Sequence, residues 1–428
     1  MRLFKKRWVR VLVITVALVA GLTGAGYLYL QHMIARVMST LTGCRLESEN
    51  FRKVVGFDYD SGWIVVKARV NGSEQVFDFI LDTGAQTVFS DSLFRQLGID
   101  DYDKVSVETD TAKHAFKNEI VAIESLELGE VKFSDVGALV VEGSEYDMLN
   151  CISPYGIIGY NVLQTCCFQI DYQNEQLLIT DRPDSLQQVD DIEWLGYTTS
   201  GQETPVIPAT INDTINVSLT FDTGYRGFMS LSSGALYEAI GSQYPSRIAK
   251  FAAKPTLTIT NNRDVEPYQK LLFKTTTLTI GSNETKDMVV SVGNIRGGDQ
   301  GGLIGSKYFE DYIITLDYAN KRVGFLPNPG GEERERESTF GLSYAPLGGK
   351  VTVSALYEGS EAERLGIRVG DEVLSINGTT VSSLDSEDLC KIFRGESDLV
   401  TKTDSVLALS TIGNGEVIRC VLERYELF

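Results

Sequence analysis

Apolar residues along this chain follow three different patterns. Residues 9–30 read VRVLVITVALVAGLTGAGYLYL, an apolar run broken only by Arg10. About 20 such residues, rising about 1.5 Å each, span the hydrocarbon core of a bilayer. Arg2, Lys5, Lys6, Arg7 and Arg10 predict a cytoplasmic N-terminus, with everything after residue 31 outside the cytoplasm. Two other uses of this segment stay open. One is a cleaved signal peptide, with Gly24-Ala25-Gly26 as its small-residue stretch. The other is lipidation at Cys44, within Leu41-Thr42-Gly43-Cys44. The second pattern is period-two alternation, as in Val217-Ser218-Leu219-Thr220-Phe221, and it predicts half-buried strands. Leu126-Glu127-Leu128-Gly129 and Leu278-Thr279-Ile280-Gly281 each predict a short strand ending at glycine. Helical periodicity, the third pattern, is confined to a few short pieces, so the body is expected to be mostly β.

The strand patterns come in two copies. Residues 76–98, VFDFILDTGAQTVFSDSLFRQLG, align with 217–241, VSLTFDTGYRGFMSLSSGALYEAIG. Each runs from a strand through Asp-Thr-Gly into a short helix ending at glycine. Downstream, 156–179, GIIGYNVLQTCCFQIDYQNEQLLI, aligns with 302–325, GLIGSKYFEDYIITLDYANKRVGF. Gly159 precedes Asp171 by 12 residues, and Gly305 precedes Asp317 by 12. A period near 140 residues is far above that of solenoid repeats, so this is a duplicated lobe.

Composition removes several function classes. The net charge is -19, and without the five basic residues of the first 30 the body carries 34 basic against 58 acidic residues, or -24. Such a field repels nucleic acid and anionic membrane surfaces, so no nucleic-acid partner is expected. Six cysteines without a CxxC pair, and two distant histidines, His32 and His114, predict no zinc site. No metal or other cofactor is expected. The cysteine spacing does not suggest a disulfide framework. Cys390 and Cys420 could bridge in an oxidising compartment, and the disulfide state stays open.

One Asp-Thr-Gly is a common turn. Two, in equivalent places of a duplicated lobe and each with a later Gly-[Ile/Leu]-Ile-Gly, point to paired carboxylates. With Leu81-Asp82-Thr83-Gly84-Ala85, Ile157-Ile158-Gly159, Phe221-Asp222-Thr223-Gly224 and Leu303-Ile304-Gly305, residues 60–327 resemble the retropepsin-like aspartic proteases. That resemblance implies an all-β, bilobal fold and hydrolysis of polypeptides by an aspartate pair, Asp82 and Asp222. Thr83 and Thr223 would bond across the lobe interface. Gly84 and Gly224 would let backbone amides reach the carboxylates, and Gly159 and Gly305 would let their strands pass behind the loops. Two carboxylates about 3 Å apart share one proton, an arrangement for which the aspartic proteases are the known example. The sequence departs from the family at Tyr225, where Ala, Ser or Thr is usual. It also departs in having no glycine in Val105–Ser125 or Phe251–Ile280, where flexible flaps are expected. Hairpin tips are placed at Asp110-Thr111 and Asn261-Asn262. An inactive, peptide-binding scaffold is the alternative to an enzyme.

After a charged linker, 328–338, the chain resembles a bacterial PDZ domain. The matching residues are Glu358-Gly359-Ser360-Glu361-Ala362, Leu365-Gly366-Ile367, Gly370-Asp371-Glu372-Val373-Leu374 and Ile376-Asn377-Gly378. The resemblance implies an extended peptide added as a strand, with residues 385–394 as the helix beside the groove. Gly341, Leu342 and Ser343 would meet a C-terminal carboxylate. The expected division is 1–45 tail, membrane helix and stalk; 46–188 and 189–327 the two lobes; 328–338 linker; 339–428 PDZ. The bacterial resemblance makes the outer compartment the periplasm.

Overall fold

The structure is a computed structural model and describes residues 31, 35, 39–98, 105–111, 114–141, 149–199, 203–254, 266–295, 301–328, 337–347, 349–413 and 415–428. The expected membrane segment, 9–30, and most of the linker lie outside these residues. Among the described residues no helix is long and apolar enough to cross a membrane.

Each lobe is built around the strand that leads into Asp-Thr-Gly. Phe77–Leu81 buries Phe77, Phe79 and Leu81 completely. Each such side chain contributes roughly 1.5–3 kcal/mol on leaving water. Ile215–Phe221 alternates as its sequence predicts, burying Val217, Leu219 and Phe221. Behind each lies the glycine-motif strand, parallel and in equivalent register: Leu81 opposes Ile158, and Phe221 opposes Ile304. The strand after Asp-Thr-Gly then returns antiparallel to the glycine-motif strand, with Val88 opposite Ile157 and Met229 opposite Ile304.

A six-stranded sheet joins the lobes. Glu193–Gly196, Arg322–Pro327 and Tyr312–Asp317 lie on one side; Cys167–Asp171, Gln176–Thr180 and Arg52–Asp60 lie on the other. At its centre Gln169 opposes Thr315, and Gln169 Nε2 donates to Thr315 Oγ1 at 3.2 Å. The repeated [Ile/Leu]-Asp-Tyr block serves turn geometry. Asn174 N–H donates to Asp171 Oδ1 at 3.1 Å, and Asn320 N–H to Asp317 Oδ1 at 3.2 Å, so these aspartates cap hairpins.

Three local expectations change. The strand ending at Leu128 is long, His114–Leu128, because it pairs with Val105–Thr111 and continues beside Val131–Val141. The helix after the second Asp-Thr-Gly runs Gly234–Gln243, through Gly241 rather than ending there, whereas Asp91–Leu97 does end at left-handed Gly98. In the first hairpin Asp110 pairs with Ala115 and Thr111 with His114, so the expected tip residues Asp110-Thr111 are still in the strand ladder; Asn261-Asn262 lies outside the described residues.

The C-terminal domain has its own core, including Val351, Val353, Val373, Ile376, Leu407 and Leu422. Asn377 (φ 47°) and Gly378 (φ 86°) make the expected hairpin between Glu372–Ile376 and Thr379–Thr380, a turn that needs positive φ at both positions. Strand Lys350–Tyr357 pairs with Ile248–Ala253 of lobe 2. Cys390 bonds not Cys420 but Cys151, 239 residues away in lobe 1, and Cys420 is free. Cys420 sits on Glu416–Glu423 opposite Leu409, whereas Cys390 lies on the helix face that meets lobe 1. Cys44 is only 8% exposed and packs in the lobe core, which turns the thiol a lipid would modify inward.

Candidate active site

Both Asp-Thr-Gly loops emerge from a buried strand end and meet between the lobes. Asp82 N–H donates to Ile158 C=O and Asp222 N–H to Ile304 C=O, both at 3.0 Å. The glycine-motif strand therefore fixes each aspartate's backbone. One residue on, the loops interlock. Thr83 Oγ1 donates to Phe221 C=O at 2.7 Å and accepts from Thr223 N–H at 3.1 Å. Thr223 Oγ1 donates to Leu81 C=O at 2.9 Å and accepts from Thr83 N–H at 3.0 Å. Both threonines are fully buried, so this four-bond crossing is shielded from competing water.

The two carboxyls meet across this crossing, each lying against the glycine of the opposite loop: Asp222 against Gly84 and Asp82 against Gly224. Backbone amides support them: Gly84 N–H reaches Asp82 Oδ1 at 2.7 Å, while Gly224 and Tyr225 N–H reach Asp222 Oδ1 at 2.9 and 3.1 Å. Gly84 and Gly224 are required by space. A β-carbon on Gly84 would overlap the Asp222 carboxyl, and one on Gly224 would overlap Asp82. Gly159 and Gly305 likewise leave room for the carbonyls of Ala85 and Tyr225.

Burial and the charge of Asp82 raise Asp222 well above the usual carboxylate range. Burial also raises Asp82, but its hydrogen bonds from Gly84 N–H and from Asp222 pull it back. Both carboxyls are raised, so the pair keeps one proton between them above the pH at which an isolated carboxyl would lose it. Tyr225 does not break the arrangement. Its backbone N–H holds Asp222, its ring turns back against Gly227, and burial lifts its hydroxyl to about 12.

Sequence reading missed the residues that brace the loops. In lobe 1 the fully buried Asn161 accepts from Thr87 N–H at 2.9 Å and donates to Gly137 C=O at 2.8 Å. Its signal was a polar residue inside an apolar block. Lobe 2 is braced from outside: Trp63 Nε1 donates to Gly224 C=O at 3.0 Å, and Ser306 Oγ to Gly62 C=O at 2.7 Å. No sequence pattern flags either.

The expected PDZ residues sit together at a strand start. Gly341 has φ 85°, and its N–H is already donated to Thr339 Oγ1 at 3.1 Å. Leu342 is buried in the domain core, and Ser343 is exposed. Strand Leu342–Leu347 pairs with Lys350–Tyr357 on one side and has helix Ser386–Arg394 beside it. Among the described residues no cluster of histidine, cysteine and acidic side chains is arranged to hold a metal ion.

Residues 66–162 match the family model for aspartyl protease, and residues 352–402 match that for the PDZ domain. The chain is similar to the solved aspartic proteinase from Irpex lacteus, at 16% identity and a TM-score of 0.39, over 65% of this chain and 98% of that one. No curated protein matches it. The chain is thus similar to aspartyl proteases over the stretch of lobe 1 that holds Asp82, and to PDZ domains over most of its C-terminal domain.

Proposed function

We propose that this chain is a membrane-anchored aspartic endopeptidase with Asp82 and Asp222 as its catalytic pair. The observation that carries the reading is the placement of each carboxyl against the glycine of the opposite loop, held by the crossed threonines. In this reading the Asp82 carboxylate takes a proton from water as the water attacks the scissile carbonyl. Protonated Asp222 donates to the carbonyl oxygen, giving a neutral tetrahedral diol. No covalent adduct forms. The intact backbone cradle at Tyr225 favours this reading over an inactive scaffold. Asp82→Asn or Asp222→Asn should lower hydrolysis of an unfolded protein by on the order of 10⁴-fold; cleavage at the wild-type rate in either variant would refute the reading.

The PDZ domain in this reading takes an extended polypeptide along Leu342–Leu347, with Gly341, Leu342 and Ser343 nearest its C-terminal carboxylate. Residues 9–30 anchor the chain, with both domains outside the cytoplasm. The Cys151–Cys390 disulfide supports an oxidising compartment. A membrane-impermeant protease applied to intact spheroplasts should degrade the domains; full protection would reverse the topology.

A further inference from the structure

The PDZ helix Ser386–Arg394 divides two consecutive apolar residues between two cores. Ile392 packs with the PDZ strands. Phe393 instead packs into lobe 1, with Trp63, Val65, Ile80 and Ile157, and is only 5% exposed. Consecutive helical side chains point about 100° apart, so one helix can supply both. The Phe393 ring stacks on Trp63 with centroids 5.6 Å apart and planes 18° from parallel. The Arg226 guanidinium lies 4.8 Å from the Trp63 ring centre and 5.6 Å from that of Phe393. Its Nη1 donates to Phe393 C=O at 3.3 Å.

Trp63 continues the path inward. Its indole N–H donates to Gly224 C=O, and Gly224 N–H donates to the Asp222 carboxylate. A PDZ side chain is thus two contacts from the loop that holds the second aspartate. Its placement is over-determined. The Cys151–Cys390 bond pins the helix to lobe 1, and Arg394 Nη1 donates to Cys151 C=O at 3.0 Å. On the other side, strand pairing of Phe251 with Tyr357 fixes the domain to lobe 2. A module that only recruits substrate needs a tether, not a side chain buried in the catalytic body.

We propose that Phe393 is a positioning residue for Asp222. By stacking on Trp63 it keeps the indole N–H on Gly224, which makes the PDZ domain part of the catalytic apparatus. This inference rests on the peptidase reading above.

The test uses the full chain and a short fluorogenic peptide with an amidated C-terminus, which offers no terminal carboxylate to the PDZ groove. Phe393→Ala removes the stack, and Trp63→Phe keeps a ring but removes the N–H. Each should lower kcat on the order of 10- to 100-fold with little change in KM, as expected for a displaced catalytic group. The double variant should lose no more than either single, because both act through one contact path. Retention of the Cys151–Cys390 linked peptide in the mass spectrum shows that the domains remain docked. Wild-type kcat in either variant, a loss confined to KM, or additive losses would overturn the proposal. Should Phe393→Ala fail to fold, Trp63→Phe decides alone. A wild type without Asp82-dependent hydrolysis refutes the peptidase reading and this inference together; an active wild type with unchanged variants refutes this inference only.

Discussion

The two Asp-Thr-Gly loops have the same backbone and different supports. Both aspartates are fixed through the same amide bond to the glycine-motif strand, and both threonines cross to the opposite lobe. Beyond that the copies diverge. The Asp82 loop is braced within its own lobe, by Thr87 and Asn161. The Asp222 loop has Ser306 of its own lobe on Tyr225 C=O and adds groups from elsewhere: Trp63 of lobe 1 and, through it, Phe393 of the PDZ domain. Duplication preserved what the carboxyl pair needs geometrically and left each copy to find its own buttress. Tyr225 shows the same division, since its backbone keeps the shared role while its side chain departs.

The largest expected effect comes from disturbing what the loops share. Gly84→Ala puts a β-carbon into the Asp222 carboxyl, and its peptidase activity should fall by about 10²-fold or more, by analogy with other small displacements at reacting groups. A variant as active as wild type would show that the carboxyls are not held this closely. Next comes the lobe 1 buttress. Asn161→Ala leaves Thr87 N–H and Gly137 C=O buried and unpaired, which should cost about 1–3 kcal/mol each, read as a lower midpoint in urea denaturation. An unchanged midpoint would erase the contrast between the two braces.

Proton linkage separates the aspartates more finely. Because folding raises Asp222, its stabilising contribution is present below its unfolded value of about 3.9 and is lost as pH rises through the folded one. Asp222→Asn should therefore melt higher than wild type at neutral pH, with the gap closing on acidification. Equal melting temperatures at pH 7 would place the proton elsewhere. The smallest effect belongs to Tyr225→Phe. Since the backbone N–H supports Asp222, kcat should stay within about 3-fold of wild type, a change of roughly 0.7 kcal/mol in barrier. A loss of 100-fold would give the hydroxyl a role that the backbone account denies it.

Much of the fold was legible because its information is local. Alternation in Val217–Phe221, left-handed glycine at Gly98 and the Asn377-Gly378 turn are written in adjacent residues. Repetition added the pairing of Asp82 with Asp222. What was not legible is contact between distant segments. Nothing in the spacing of six cysteines distinguishes Cys151 as the partner of Cys390. The same holds for Trp63 against Gly224, 161 residues apart, and for Phe251 against Tyr357. These depend on where whole lobes dock, which short-range pattern does not encode. Asn161 lies between: the repeat marks its block, but the bonds of its buried amide to Thr87 and Gly137 come from packing across the lobe.

The most direct test of the carboxyl pair is the pH dependence of kcat/KM for a short peptide. One aspartate must be ionised and its partner protonated, so the profile should be bell-shaped. The acid limb follows uptake of a second proton by the pair, and the alkaline limb follows loss of the shared one. Because burial raises both groups, the bell should extend above the range near 4 where isolated carboxyls ionise. A profile that rises monotonically through neutral pH, with Asp82→Asn as active as wild type, would contradict the account.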